Sequence, residues 1–272
     1  MSKKLSLILG SFFVLFVGIA SASLTTDIMP TGDGAYTQWT KSSGLTHYTL
    51  VDESSCNGVT DYNFTTTVGN RDSYVVNTSQ VSNGSQITKI EIKPCASRNS
   101  GGGASPVMNV FYRLNGSNSA DAGAYSLTGT TPVQLATTTF SGLSAIKTGT
   151  TTLEVGSVLT SGIRGARLSR IATVITYTAL NAPSGLGATT TSSSQINLGW
   201  SDNSTFEDGF VIERQNVTAS STFSVIATTT ANVVGYSDMG LASSTVYKYK
   251  VRAYNIGGYS NYSNTATATT TP

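Results

Sequence analysis

Few residues of this chain could take part in catalysis, and its one histidine is the first candidate. His47 lies in the stretch Leu45-Thr46-His47-Tyr48 and alternates with apolar neighbours. A serine hydrolase would pair such a histidine with a nucleophilic serine, which in many of these enzymes sits in a Gly-x-Ser-x-Gly turn. The chain has no such turn. We therefore interpret His47 as a structural or surface residue and predict that the protein is not an enzyme.

Carboxylates are the second candidate group, because they are dense in one part of a chain with few charges. A glycosidase needs two of them across a cleft, but nothing in their spacing singles out a pair. Oxygen ligands of this kind suit Ca²⁺, although the spacing matches no calcium-binding loop. A structural calcium ion is therefore an open hypothesis, and we predict no other cofactor. The candidate metal ligands are Asp52, Glu53, Asp61 and Asp72.

Aromatic residues of the first half are the third candidate group. A platform of Trp and Tyr rings with polar groups beside it is typical of carbohydrate-binding sandwich domains, since the rings stack on sugar faces. In the alternative interpretation about half of these rings belong to the core and the rest are scattered over the surface. The candidate sugar-stacking residues are Tyr36, Trp39, Tyr48, Tyr62 and Tyr74.

The two cysteines, Cys56 and Cys95, bear on both stability and compartment. An even pair in an exported chain is most simply a disulfide bond. Metal binding by the pair would need further ligands, and the chain has no Cys-x-x-Cys pair and a single histidine. We predict that the two cysteines are joined.

The beginning of the chain has the features of an export signal. Lys3 and Lys4 precede an apolar run from Leu5 to Ile19, and small residues follow, so we expect cleavage after Ala22. The apolar run is short for a membrane span, and we expect no membrane attachment after cleavage. The formal net charge of +2 and the lack of a Lys/Arg run argue against nucleic acid as a partner. These features predict a secreted or cell-surface protein.

Alternating apolar and polar residues predict short strands throughout, and therefore an all-β fold. In the first half the clearest alternations are Met108 to Leu114 and Ile171 to Tyr177, and turn-rich segments separate the strands. A boundary falls at the Pro183 that follows the second of these runs. The predicted organisation is a signal peptide at 1–22, a jelly-roll-like β-sandwich at 23–178, a linker at 179–182 and a second sandwich at 183–270.

The second sandwich resembles a fibronectin type III domain, which has an immunoglobulin-like fold. The resemblance covers the whole segment and depends on Pro183, Leu186, Trp200, Leu241, Tyr247 and the run Tyr249-x-Val251-x-Ala253 with Asn255 and Gly258 after it. It implies that Trp200 and Leu241 are structural, with Trp200 filling the core between the sheets, and that Tyr247 forms a corner hydrogen bond. One departure is Ser243, where the family often has proline.

The first sandwich is similar to uncharacterised β-sandwich domains that precede fibronectin modules in exported bacterial proteins. That similarity depends on Gly34-x-Tyr36-x-x-Trp39, Val51-Asp52-Glu53 and Arg71-Asp72-Ser73-Tyr74, and it implies no activity. We predict a secreted, non-enzymatic binding or spacer protein, with the first sandwich as recognition unit and the second as spacer. The partner would be an extracellular glycan or a surface protein. The alternatives are a carbohydrate-binding accessory protein and a purely structural surface component.

Overall fold

The computed structural model describes residues 21–23, 26–56 and 61–272, and these residues form an all-β fold. The predicted signal peptide lies outside this part, apart from Ser21 and Ala22, whose backbone pairs with Thr178 and Tyr177. Within the described residues no helix has the length and apolar character that crossing a membrane requires.

Two packed antiparallel sheets make up the first sandwich. Its strands are β1 (Ser21–Ser23), β2 (Pro30–Thr37), β3 (Thr40–Lys41), β4 (Asn63–Thr65), β5 (Arg71–Val76), β6 (Gln86–Arg98), β7 (Val107–Leu114), β8 (Ser117–Asn118), β9 (Ala122–Ser126), β10 (Val133–Gln134), β11 (Thr138–Ile146), β12 (Leu153–Ser161) and β13 (Ala166–Thr178). A 3₁₀ turn at Tyr48–Leu50 lies in the loop between β3 and β4.

The strand order of the first sandwich is that of a jelly roll. In the first sheet β4, β13, β6 and β11 are neighbours in that order, with β3, β1 and β10 at its margins. In the second sheet the order is β2, β5, β12, β7, with β8 and β9 both paired to β7. The chain crosses between the sheets at almost every step, from β4 to β5 to β6 to β7 and again from β11 to β12 to β13. The predicted sandwich architecture is therefore confirmed.

Alternation along the strands explains why the core lies between these two sheets. Leu153, Val155 and Leu159 of β12 face inward, while Glu154 of the same strand faces outward. The central strand β13 is buried along most of its length, because it pairs with β6 and β4 and is covered by the second sheet. A continuous apolar core follows from this arrangement.

The second sandwich has its own two sheets and its own core. Its strands are β14 (Ser184–Thr190), β15 (Gln195–Ser201), β16 (Gly209–Asn216), β17 (Ser224–Thr228), β18 (Gly235–Met239), β19 (Val246–Asn255), β20 (Gly258–Tyr259) and β21 (Ala266–Thr269). One sheet has the order β14, β15, β18, and the other has β17, β16, β19, with β20 and β21 both on β19.

The residues predicted to be structural in the second sandwich lie in that core. Trp200 and Leu241 are buried, and the rings of Trp200 and Phe210 pack edge to face with their centroids 5.6 Å apart. The hydroxyl of Tyr247 accepts a hydrogen bond from the backbone N–H of Ala242 at 3.0 Å. This bond closes the corner before β19, although Ser243 stands where the family often has proline.

Candidate functional site

The loop from β3 to β4, which carries several candidate residues, is fastened to the first sheet. A disulfide bond joins Cys56 to Cys95 of β6, with the Cα atoms 5.6 Å apart, so the predicted pairing is confirmed. Arg170 of β13 donates from Nε to the backbone oxygen of Glu53 at 2.9 Å, and its backbone bridges to Asp52. Val51 is buried in the core beside this anchor.

A buried polar cluster, which comprises His47, Asn63, Asp72 and Tyr74, lies on the inner face of β5. Nδ1 of His47 is 2.8 Å from Oδ2 of Asp72, and the hydroxyl of Tyr74 donates to the same oxygen at 2.9 Å. Nδ2 of Asn63 donates to the Tyr74 hydroxyl at 3.1 Å and to the backbone oxygen of His47 at 2.9 Å. The cluster therefore connects the 3₁₀ turn, β4 and β5.

Burial dominates the electrostatics of this cluster. Asp72 is completely buried, and the loss of hydration raises its pKa from 3.8 to about 6, although hydrogen bonds from His47 and Tyr74 act in the opposite direction. The Asp33 carboxylate adds to the upward shift. Burial and the neighbouring Asp72 likewise raise the pKa of Tyr74 well above 10. The folded protein therefore keeps Asp72 protonated up to a higher pH than the unfolded chain does.

A histidine paired with a buried aspartate is also the orienting half of a hydrolytic triad, which makes the surroundings of His47 decisive. The third member would be a nucleophile hydrogen-bonded to the free ring nitrogen. Within the described residues the His47 ring hydrogen-bonds to Asp72 alone, and the residue is 8% exposed. The geometry suits a structural cross-link between the turn and the sheet.

The opposite face of β5 carries an outer cluster built around Phe111 of β7. By alternation Phe111 points away from the core, yet it is fully buried. The rings of Tyr36 and Phe111 pack edge to face with their centroids 5.9 Å apart, and the Arg71 guanidinium lies 4.7 Å from the Phe111 ring centroid. Gly156 of β12 is directly opposite Phe111 on the neighbouring strand. A Cβ atom at Gly156 would lie 2.6 Å from Cζ of Phe111. Strand β2 and Arg71 thus cover an aromatic ring outside the main core.

Ion pairs complete the outer cluster. Both terminal nitrogens of Arg71 bind Asp121, at 2.8 and 2.7 Å. Glu154 accepts from Nη1 of Arg113 at 2.9 Å and from the Ser73 hydroxyl at 2.7 Å. A Cβ atom at Gly34 would lie 2.4 Å from Oγ of Ser73. This close approach explains why a glycine stands where β2 packs against β5.

The five candidate sugar-stacking residues do not form one platform. Trp39 and Tyr74 are buried in the core, so their assignment as sugar-stacking residues was wrong: both rings stabilise the sandwich. Tyr36 belongs to the outer cluster, Tyr48 packs against the core, and Tyr62 lies under Arg167 with its ring centroid 4.4 Å from the guanidinium.

The four candidate metal ligands are also dispersed. Asp72 faces the interior, whereas the Asp52 side chain is exposed and Glu53 is held through its backbone. Asp61 is half-buried and lies two residues before β4. Among the described residues no three His, Cys, Asp or Glu side chains come together as metal ligands. The described residues therefore do not bring the four hypothetical calcium ligands together.

Sequence reasoning missed three residues of these sites. Asn63 and Phe111 were not singled out, because a lone asparagine and one phenylalanine in an alternating strand carry no distinguishing signal. Lys147 was missed as well, although a lysine followed by Thr148-Gly149-Thr150-Thr151 is unusual in a chain with only 11% charged residues. Lys147 is buried beside a polar cleft.

Comparison with known proteins identifies the second sandwich. The family described as "Fibronectin type III domain" matches residues 181–269. No curated protein matches the chain. Similar solved structures include the FN3 domain of human collagen XX, at 23% identity over 34% of this chain and 93% of that one, with a TM-score of 0.31. A Fn3-like protein from Clostridium thermocellum is 27% identical over 33% of this chain and 92% of that one, with a TM-score of 0.28.

The family match coincides with the observed sheets. It spans β14 to β21, which form one three-stranded sheet and a second sheet centred on β16 and β19. Domains of this family typically serve in binding or spacing and are not catalytic. Residues 181–269 of this chain are a fibronectin type III domain.

Proposed function

We propose that this protein is an extracellular, non-enzymatic binding and spacer protein. Its first sandwich serves as the recognition unit, and the fibronectin type III domain holds that unit at a fixed distance and orientation. The observation that carries the proposal is the direct contact between the two sandwiches, which a freely jointed pair of domains would lack.

The contact joins the β5–β6 loop to the turn between β19 and β20. Nδ2 of Asn255 donates to the backbone oxygen of Gly84 at 2.8 Å. A Cβ at Gly257 would lie 2.4 Å from the backbone oxygen of Lys147 and 2.6 Å from the backbone nitrogen of Gly84. The backbones therefore meet at a distance that only glycine permits.

The connecting residues are fixed as well. Leu180 is buried and belongs to the apolar core of the second sandwich. Asn181 donates from its backbone to the Ser204 hydroxyl and from Nδ2 to the backbone oxygen of Asn203, both at 3.0 Å. Nδ2 of Asn203 donates to the Ala182 oxygen at 2.8 Å. These bonds fix the linker to the second sandwich, and together with the contact between Asn255 and Gly84 they support a spacing role.

Two features support an extracellular location. The Cys56–Cys95 disulfide is a bond that persists in oxidising compartments. The first residues of the chain have the composition of an export signal. A recognition role for the first sandwich is supported by the polar cleft of about 450 Å³ between its β5–β6 and β11–β12 loops.

Small-angle X-ray scattering of the full chain tests the spacing role. We expect the wild type to fit one conformation. The Gly257→Ala chain should have a larger radius of gyration and a broader distance distribution, because the new methyl group forces the domains apart. Gly187→Ala is the matched control, since a Cβ at this position meets no atom within 4 Å. Wild-type scattering that requires many interdomain orientations would refute the proposal.

A further inference from the structure

Lys147, the residue that follows β11, is a buried cation that has no acidic partner in the part of the chain that the structure describes. It is 6% exposed, and its ammonium group donates to Oδ1 of Asn83 at 3.2 Å and to the backbone oxygen of Thr148 at 2.6 Å. An ammonium group has three protons to donate, so these two acceptors leave one. Among the described residues no carboxylate lies within 4 Å of it. A buried charge in this state is costly unless an anion compensates it.

The cleft that Lys147 lines is rich in hydrogen-bond donors. Oδ1 of Asn77 accepts from the backbone of Ser79 and Oδ1 of Asn83 accepts from Lys147, which leaves the Nδ2 groups of both asparagines as donors. Within the described residues those Nδ2 groups make no hydrogen bond, and the hydroxyls of Ser79 and Ser82 likewise make none. These groups line the same cleft as Lys147.

The lining of this cleft contains no acidic residue and only one large apolar residue, Val81. One cation surrounded by amide and hydroxyl groups is complementary to an anionic group that carries further hydroxyls. The volume of about 450 Å³ suits a small ligand of one or two sugar rings.

We propose that this cleft, the Lys147 cleft, binds the carboxylate of an acidic sugar, with Lys147 as the charge partner and the serine and asparagine side chains on the sugar hydroxyls. The proposal rests on the proposed function in taking the first sandwich as the recognition unit. It also places the ligand at the domain junction, because the backbone oxygen of Lys147 accepts from Gly84 at 2.7 Å and lies beside Gly257.

The test is an NMR titration of the ¹⁵N-labelled full chain at constant ionic strength with sodium glucuronate, glucose and sodium phosphate in separate arms. We expect glucuronate to shift the amide signals of residues 77–83 and 147–151 in a saturable way, and glucose to leave them unchanged. Lys147→Met should weaken glucuronate binding by about 10- to 100-fold, the loss expected for a hydrogen bond to a charged group. Lys248→Met, in the second domain, is the charge-matched control and should bind as the wild type does.

A second variant keeps the test valid if Lys147→Met does not fold. Ser82→Ala removes one exposed hydroxyl from the cleft and should weaken glucuronate binding by about 3- to 10-fold, the loss expected for a neutral hydrogen bond. Equal shifts with glucose, binding of phosphate alone, or no localised shifts in any arm would overturn the proposal. The two proposals can fail separately. If X-ray scattering fits one conformation but the NMR titration fails, the ligand assignment is wrong and the spacing role still holds.

Discussion

Replacing the buried Asp72 by asparagine should flatten the dependence of stability on pH. The pKa of Asp72 is raised from 3.8 to about 6 in the folded protein, chiefly by burial. The folded state therefore holds a proton that the unfolded chain releases. The stabilisation from this proton is fully present below pH 3.8 and is lost as the pH rises through 6. Asparagine does not titrate, so the Asp72→Asn protein should not lose this stability as the pH rises.

The size of the effect follows from the shift. A difference of about 2.2 pKa units corresponds to roughly 3 kcal/mol of unfolding free energy in total, of which about 2 kcal/mol falls between pH 4.5 and pH 8. The amide oxygen of asparagine can accept the bonds from His47 and Tyr74 that Oδ2 now accepts. Any loss from leaving its amide nitrogen unpaired is independent of pH, and it does not alter the slope.

Urea unfolding followed by tryptophan fluorescence measures this slope. Trp39 and Trp200 are the two tryptophans, one in each sandwich, so a Trp200→Phe background makes Trp39 the reporter of the first sandwich. We expect Asp72→Asn to gain about 2 kcal/mol relative to its parent between pH 4.5 and pH 8. Asp52→Asn, which changes an exposed carboxylate, is the control. Parallel curves for the parent and Asp72→Asn would refute the reasoning.

Three further changes test the packing of the two sandwiches. Replacing Cys56 and Cys95 by alanine opens a loop with a sequence separation of 39 and should cost about 4 kcal/mol of unfolding free energy in urea; an unchanged midpoint would contradict this. Tyr247→Phe removes the corner hydrogen bond and should lower the stability of the second sandwich by about 1 kcal/mol, measured by Trp200 fluorescence. Gly156→Ala places a Cβ 2.2 Å from the Asp72 backbone oxygen and should cost at least about 2 kcal/mol in thermal unfolding, whereas Gly101→Ala, in open space, should be neutral.

The all-β fold and the second sandwich were predictable because both depend on local patterns. The alternation in Tyr247–Ala253 specifies which side of β19 faces the core, and the observed burial follows it. The same rule failed at Phe111, which points outward but is buried beneath Tyr36 and Arg71. A rule about one strand contains no information about what covers its outer face.

The candidate site was less predictable, because its parts are distant in sequence. His47 and Asp72 are 25 residues apart and meet only because the disulfide-linked loop folds onto the sandwich. Arg71 binds Asp121, which is 50 residues away, so the sequence around Arg71 does not identify its partner. Trp39 has the residue type of a sugar platform, yet it belongs to the core, where its Nε1 donates to the backbone oxygen of Asn70 at 3.0 Å.

The most direct test of the central claim, that the two sandwiches act as one rigid unit, is a set of residual dipolar couplings from the full wild-type chain. Because Asn255 and Gly257 hold the second sandwich against Gly84 and Lys147, we expect couplings from both sandwiches to fit one alignment tensor. Two tensors of different magnitude would show independent motion of the domains and would contradict the account.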